Sequence, residues 1–204
     1  MRKPAHQNIV PFFAMTFLLT SSSFCAGRVG AQELKFANLG ALKLESGEDL
    51  KDCRLGYRSF GKLNEDGSNS IVMLTWFNRK TKDMASAVGV DKLIDPAQHF
   101  VVLIDALGNG VSTSPSNSAT QPKNKFPHIT MRGMVAAEYL LLTKELQLGH
   151  VHAAIGESMG GMQTYQWAAS YPSFMDEPIP IIGTPQQSSY DIVAATVRGF
   201  LTEK

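Results

Sequence analysis

Two kinds of hydrophobic pattern follow one another along this chain. Residues 34–60 hold short runs in which apolar and polar positions alternate, which predicts antiparallel strands with one covered face. "IVMLTWF" (71–77), "HFVVLIDALG" (99–108) and "HVHAAIG" (150–156) are nearly continuous apolar runs, typical of parallel strands buried on both faces. "PIPIIGT" (178–184) is a further candidate strand.

Helical periodicity separates these apolar runs. Residues 130–148 repeat apolar side chains every three or four positions, with Thr130 as a candidate N-cap and Gly149 as a candidate stop. Residues 158–171 predict a second helix that ends before Pro172, and residues 189–204 begin another. Strands that alternate with helices predict an α/β fold with a mostly parallel sheet, and the antiparallel entry is typical of an α/β-hydrolase.

The first residues differ from the rest in composition. Arg2 and Lys3 precede the apolar run "IVPFFAMTFLLT", and Val29 and Ala31 are the small residues of a cleavage site. We therefore expect a secretory signal peptide over residues 1–31, an exported protein, and residues 32–204 as the N-terminal portion of the folded domain. An uncleaved N-terminal anchor is the alternative.

Cleavage would alter both charge and cysteine content. The 204-residue chain carries +1, and loss of three basic residues would leave 16 basic and 18 acidic ones, net −2. Such a balance gives no reason to expect nucleic-acid binding. Cys25 would leave with the signal, so that Cys53, which we expect to pack within a strand, could form no internal disulfide.

The candidate chemistry centres on "GESMGG", where Gly156, Ser158 and Gly160 match G-x-S-x-G between a predicted strand and helix. Such a turn would present Ser158 as a nucleophile, and it requires small neighbours at Gly156 and Gly160. Gly161 would allow the helix to pack closely on the sheet. The N–H of Met159 is one candidate oxyanion donor, and the loop "TWFN" supplies the second from Trp76 or Phe77. A glycine-rich turn with a filler serine is the structural alternative.

Several stretches together resemble the homoserine O-acetyltransferase family of α/β-hydrolases over roughly residues 57–185: "YRSFGKLNEDGSNSIVMLTWF", "ALGNGVSTSPSN", "FPHITMRGMVAAEYLLL" and "GESMGGMQTYQWAASYP". The resemblance implies ping-pong acyl transfer on Ser158, with acetyl-CoA as a donor, no bound cofactor, and Phe77 as the preferred second oxyanion donor. Typical members carry "HALTG" where this chain has "TWFNR", and "IRDMV" where it has "MRGMV". Arg132 is retained there, either as a substrate-pocket residue or as a solvated helix charge.

The triad acid and histidine are missing from the expected places. In this superfamily the histidine follows the serine along the chain, yet none follows Ser158. We expect His99, His150 and His152 at the far end of the sheet, and only His128 near the active face. A domain that ended at Lys204 would also leave a long apolar sheet edge exposed. The sequence therefore predicts the N-terminal part of a longer enzyme.

Three functional interpretations remain open: an acetyltransferase, an exported esterase-like hydrolase with water as acceptor, and a non-catalytic or degenerate fragment. The partners expected are a small-molecule acyl donor and acceptor. A homodimer is an open alternative, no membrane anchor is expected after signal cleavage, and no ligand spacing indicates a metal site.

Overall fold

A six-stranded mixed sheet forms the centre of the molecule in this computed structural model, which describes residues 33–186 and 188. In chain order the strands are β1 (Lys35–Lys43), β2 (Asp49–Phe60), β3 (Ser70–Leu74), β4 (Phe100–Ile104), β5 (Val151–Glu157) and β6 (Met175–Ile181). Across the sheet they lie in the order β1-β2-β4-β3-β5-β6. Pairs β1–β2 and β2–β4 are antiparallel, and the remaining pairs are parallel. The α/β-hydrolase architecture expected from the sequence is confirmed. The expected signal peptide, Cys25 and the helix over residues 189–204 lie outside the described residues.

The antiparallel entry consists of β1 (Lys35–Lys43) and β2 (Asp49–Phe60). The pairing shifts on either side of Gly40, so that β1 bends around the sheet. Cys53 is buried in β2, as expected, and burial raises the pKa of its thiol to about 12.

Three parallel strands follow the entry: β3 (Ser70–Leu74), β4 (Phe100–Ile104) and β5 (Val151–Glu157). The first two end earlier than the apolar runs suggested, because the residues after Leu74 and Ile104 already form loops at the carboxyl edge of the sheet. Almost every residue of β3 and β4 is buried, as the continuous apolar pattern predicts.

Helices cover both faces of the sheet. The short α1 (Thr81–Met84), with a 3₁₀ turn over Ala85–Ala87, contributes to a small apolar cluster on one face. On the other face α2 (Met131–Leu140) packs against α3 (Met159–Ser170) in the larger core. Thr130 caps α2, its side chain accepting the Gly133 N–H at 3.2 Å.

The long helix expected over residues 130–148 is shorter in the structure. Its α-helical part ends at Leu140, and a π-helical turn over Leu141–Glu145 completes it, so Gly149 lies beyond the end of the helix. Leu141 and Leu142 are buried in this turn. The apolar repeat thus indicates which side chains are buried, and a π-helical turn buries them as well as an α-helical turn would.

Strand β6 (Met175–Ile181) is the last strand of the described sheet. It starts three residues earlier than expected, and its pairing with β5 extends from Met175 to Ile181. Pro178 and Pro180 have no N–H to donate, which suits a strand at a sheet edge. Ile179, Ile181 and Ile182 remain exposed there.

None of the helices in the described ranges combines the length and the apolar composition needed to cross a membrane.

Candidate active site

Ser158 lies at the junction between β5 and α3, at the carboxyl end of the parallel strands. Its backbone adopts φ 52° and ψ −116°, a left-handed conformation that costs a non-glycine residue free energy. The Ser158 N–H donates to the carbonyl of Ile181 at 2.9 Å, and its own carbonyl accepts the Met162 N–H at 3.0 Å. The strained turn is therefore held on one side by β6 and on the other by the first turn of α3.

The glycines around Ser158 are required by backbone contacts. A Cβ on Gly156 would overlap the carbonyl group of Gly160, and one on Gly160 would lie 2.5 Å from the Leu74 carbonyl oxygen. At Gly161 it would lie 2.9 Å from the Cα of Gly183. These contacts leave no room for a side chain at Gly156 or Gly160, and at Gly161 they come from the segment after β6. The part of the three glycines in a nucleophile site stays a prediction.

The Ser158 side chain is exposed, and it makes no hydrogen bond to any other part of the described chain. Met159 is the first residue of α3, where a backbone N–H has no acceptor within the helix. A hydroxyl and an unsatisfied N–H thus adjoin at the helix N-terminus, where the helix dipole favours a developing negative charge.

The loop "TWFN" begins directly beside this turn, since Gly160 contacts the end of β3. Trp76 accepts the Arg79 N–H at 3.1 Å and so closes a tight turn around Phe77, whose side chain is 59% exposed. Asn78 within this turn has φ 60°. The loop has the location that a second oxyanion donor requires, and the assignment to Phe77 stays a prediction.

Gln163 is a site residue that the sequence reasoning missed. Its buried side chain donates from Nε2 to the Thr75 carbonyl at 3.0 Å and to the Met159 carbonyl at 3.3 Å. Thr75 in turn accepts the Ala106 N–H through its hydroxyl at 2.9 Å. The amide therefore ties the loop after β3 to α3, the helix that begins at the tight turn over residues 156–160, called the elbow below. Its place in the "GGMQ" stretch was the available signal.

The loop "ALGNGVSTSPSN" is fixed by its own polar side chains. Asn109 Oδ1 accepts the N–H groups of Val111 and Ser112, and Asn109 Nδ2 donates to Asp105 at 2.7 Å. The Asp105 carboxylate is fully buried and also accepts the Thr81 N–H and hydroxyl. This network ties the loop after β4 to the start of α1.

Arg132 forms an exposed ion pair with Glu45, at 2.6 Å between Nη1 and Oε1. Glu45 lies in the turn between β1 and β2 and also accepts the Thr130 hydroxyl at 2.5 Å. The structure thus favours the solvated helix charge over the pocket residue, and a substrate contact by Arg132 stays a prediction.

The described histidines lie where the sequence suggested. His150 and His152 are at the start of β5, opposite the elbow, and contact Asp176 at 2.8 and 3.3 Å. These hydrogen bonds lower the pKa of Asp176, and the bond with His150 has the larger effect. His128 lines a groove beside Met162 and Tyr165, on the flank of α3. Across the described chain, no cluster of three His, Cys, Asp or Glu side chains is arranged to hold a metal ion.

Comparison with known proteins agrees with this geometry. Residues 81–179 match the family model of the alpha/beta hydrolase fold. The chain therefore has the α/β-hydrolase fold. A probable esterase of Corynebacterium glutamicum is 35% identical to it over 86% of this chain and 51% of the relative. A homoserine O-acetyltransferase of Methanohalophilus mahii is 34% identical over 81% of this chain and 39% of that enzyme.

Among solved structures, an acetylester hydrolase from Corynebacterium glutamicum superimposes with a TM-score of 0.78 at 34% identity. The match covers 81% of this chain and 48% of that structure. The resemblance of this chain to the homoserine O-acetyltransferase family is confirmed. The chain resembles esterases at a similar level of identity. The chain spans about half the length of these relatives or less.

Proposed function

We propose that Ser158 is the nucleophile of a serine-dependent acyl transfer. The observation that carries the proposal is the strained, exposed serine at a strand–helix junction with glycines at each close contact. Its Oγ attacks the carbonyl carbon of an ester, the new Oγ–C bond forms, and the bond from that carbon to the leaving alcohol breaks. The serine proton passes through a base to the leaving alcohol. An acceptor O–H then attacks the acyl carbonyl carbon, its oxygen forms the new bond, the Oγ–C bond breaks, and the acceptor's proton returns through the base to Oγ.

The oxyanion of the tetrahedral intermediate would be bound by the backbone N–H groups of Met159 and Phe77. Hydrogen-bond donors fixed before the reaction stabilise such a charge without reorganising, and loss of one donor typically costs about 10²–10³ in kcat. The contacts of Gln163 with the Thr75 and Met159 carbonyls support this role, because they hold both donor segments together.

The base and the acid of the triad belong, in this proposal, to polypeptide outside residues 1–204. No histidine follows Ser158, and the described histidines near β5 engage Asp176 at the opposite end of the sheet. The relatives' greater length supports a protein in which further chain completes the site. Oxyanion stabilisation alone leaves catalysis far below that of a full triad.

For the acceptor we propose water, so that the protein hydrolyses short-chain carboxylic esters such as acetyl esters. The support is the similarity to a probable esterase and to an acetylester hydrolase. The signal-like composition of residues 1–31 adds to it, since an exported enzyme would meet esters and water rather than acetyl-CoA. The second candidate is acyl transfer from acetyl-CoA, supported by the homoserine O-acetyltransferase relative.

The deciding experiment starts from the gene, read beyond the codon for Lys204. The protein expressed from the complete gene is incubated with p-nitrophenyl acetate or acetyl-CoA, and acetyl-Ser158 is sought by mass spectrometry, with Ser158→Ala as control. Acylation by the ester with release of acetate supports a hydrolase, and acylation by acetyl-CoA alone supports a transferase. A folded protein that neither donor acylates at Ser158 refutes the proposal.

A further inference from the structure

The loop that carries the proposed second oxyanion donor is held at its two ends. Among the described residues, neither Phe77 nor Asn78 makes a hydrogen bond, and the turn around them is closed by the Arg79 N–H, which donates to the Trp76 carbonyl at 3.1 Å. The position of the Phe77 N–H is therefore set by the contacts at the start and at the end of the segment 75–81, called the oxyanion loop below.

Thr75 fixes the start of the oxyanion loop. Its hydroxyl accepts the Ala106 N–H at 2.9 Å, and its carbonyl accepts Gln163 Nε2 at 3.0 Å. Thr75 is fully buried, and hydrogen bonds away from water are electrostatically stronger than those at the surface. The start of the loop is thus tied both to the loop after β4 and to α3.

The end of the oxyanion loop is held by the loop after β4. The buried Asp105 carboxylate accepts the Thr81 N–H at 3.0 Å and the Thr81 hydroxyl at 2.8 Å. Asn109 Nδ2 donates to Asp105 Oδ1 at 2.7 Å and to the Arg79 carbonyl at 3.3 Å. The Asn109 amide therefore contacts both the oxyanion loop and the carboxylate that anchors it.

The orientation of the Asn109 side chain is itself fixed. Its Oδ1 accepts the Val111 N–H at 2.9 Å and the Ser112 N–H at 3.2 Å, which directs Nδ2 towards Asp105. One side of the group must accept hydrogen bonds and the other must donate them, and an amide meets both requirements. A carboxylate at this position would keep the acceptor and lose the donor.

We propose that Asn109 is a positioning residue for acyl transfer, which holds the Phe77 N–H at the oxyanion through its bonds to Arg79 and Asp105. This inference rests on the proposed function of Ser158. Arg79 lies two residues after Phe77, a span of at most roughly 7 Å, so a shift at Arg79 also moves the donor. A misplacement of about 1 Å can cost roughly 10²-fold in rate.

The test compares Asn109→Ala with Asn117→Ala in the protein expressed from the complete gene. Asn117 is the matched control, because it lies in the same loop but makes its hydrogen bonds within that loop, to the carbonyls of residues 110–112 and to the Ser114 N–H. Turnover of whichever donor acylates Ser158, p-nitrophenyl acetate or acetyl-CoA, gives kcat and KM, and urea unfolding establishes that both variants fold.

The two variants should separate in kcat. Asn109→Ala should lower kcat roughly tenfold to a hundredfold and leave KM within about twofold, because an oxyanion donor acts on charge that forms only in the transition state. Asn117→Ala should keep the parental kcat. Asn109→Asp, which retains the acceptor for Val111 and Ser112, should lower kcat at least as far as Asn109→Ala.

Hydrogen exchange of the oxyanion loop, followed by mass spectrometry, measures its anchoring without catalysis. Asn109→Ala should speed exchange of the Arg79 and Thr81 N–H groups roughly tenfold, because their hydrogen bonds then open more often, and Asn117→Ala should not. An equal fall of kcat in Asn109→Ala and Asn117→Ala, or parental kcat in either Asn109 variant, would overturn the positioning role while acylation of Ser158 stands. A parent protein that is not acylated at Ser158 refutes the proposed function, and the positioning role falls with it.

Discussion

The buried carboxyl of Glu138 leads to a prediction about stability and pH. Glu138 is fully buried in the contact between α2 and α3, where its Oε2 accepts the Trp167 indole N–H at 2.8 Å. Its second oxygen has no partner among the described residues. Burial raises the pKa of Glu138 from 4.5 to about 8, and the indole hydrogen bond offsets only part of this effect. The carboxyl is thus neutral in the folded protein at pH 7.

The sign of the effect follows from proton binding. Between pH 4.5 and about 8 the folded state keeps the Glu138 proton and the unfolded state loses it, so stability falls as pH rises. Its contribution is complete below pH 4.5 and is lost progressively up to the folded pKa. At about 1.4 kcal/mol per pH unit, the loss between pH 5 and pH 8 is roughly 3 kcal/mol.

Glu138→Gln removes this titration with almost no change of shape. We expect the variant and the parent to have similar free energies of unfolding at pH 5, with the variant gaining roughly 3 kcal/mol over the parent by pH 8. Urea unfolding followed by tryptophan fluorescence, at one-unit steps from pH 5 to 8, measures the difference. Glu65→Gln, at an exposed turn position, controls for the loss of a carboxylate. Parallel pH dependences for parent and Glu138→Gln would refute the reasoning.

Three further predictions concern the site and the core. Gln163→Leu leaves the buried Thr75 carbonyl without its donor and should cost about 1–3 kcal/mol in urea unfolding; in the complete enzyme it should lower kcat more than it raises KM. Gly160→Ala should reduce the free energy of unfolding by about 1–3 kcal/mol and lower Tm by several degrees, because the new Cβ would overlap the Leu74 carbonyl. Gly149→Ala is the control and should leave Tm unchanged, because a Cβ there meets no other atom. In a Cys25→Ser background, Cys53 should react with a thiol reagent at pH 8 only after unfolding, since its pKa is about 12; rapid reaction of the folded chain would contradict its burial.

The sequence by itself determined the fold class and the candidate nucleophile. A continuous apolar run predicts a strand such as β4, because a strand that is buried on both faces contains almost no polar side chains. The tight junction at Ser158 could be inferred because only glycine fits where Gly156 and Gly160 contact backbone. Such requirements are local, and local requirements are written directly into the sequence.

Other features depended on the tertiary structure. The π-helical turn after Leu140 and the early ends of β3 and β4 could not be inferred, because an apolar repeat records burial and not the exact backbone path. The bonds from Gln163 to Thr75 and from Arg132 to Glu45 join residues 88 and 87 positions apart, and no local pattern encodes which partners meet. The sequence specifies which surfaces must be covered and which turns must be tight, while the packing of distant segments decides which polar groups face one another.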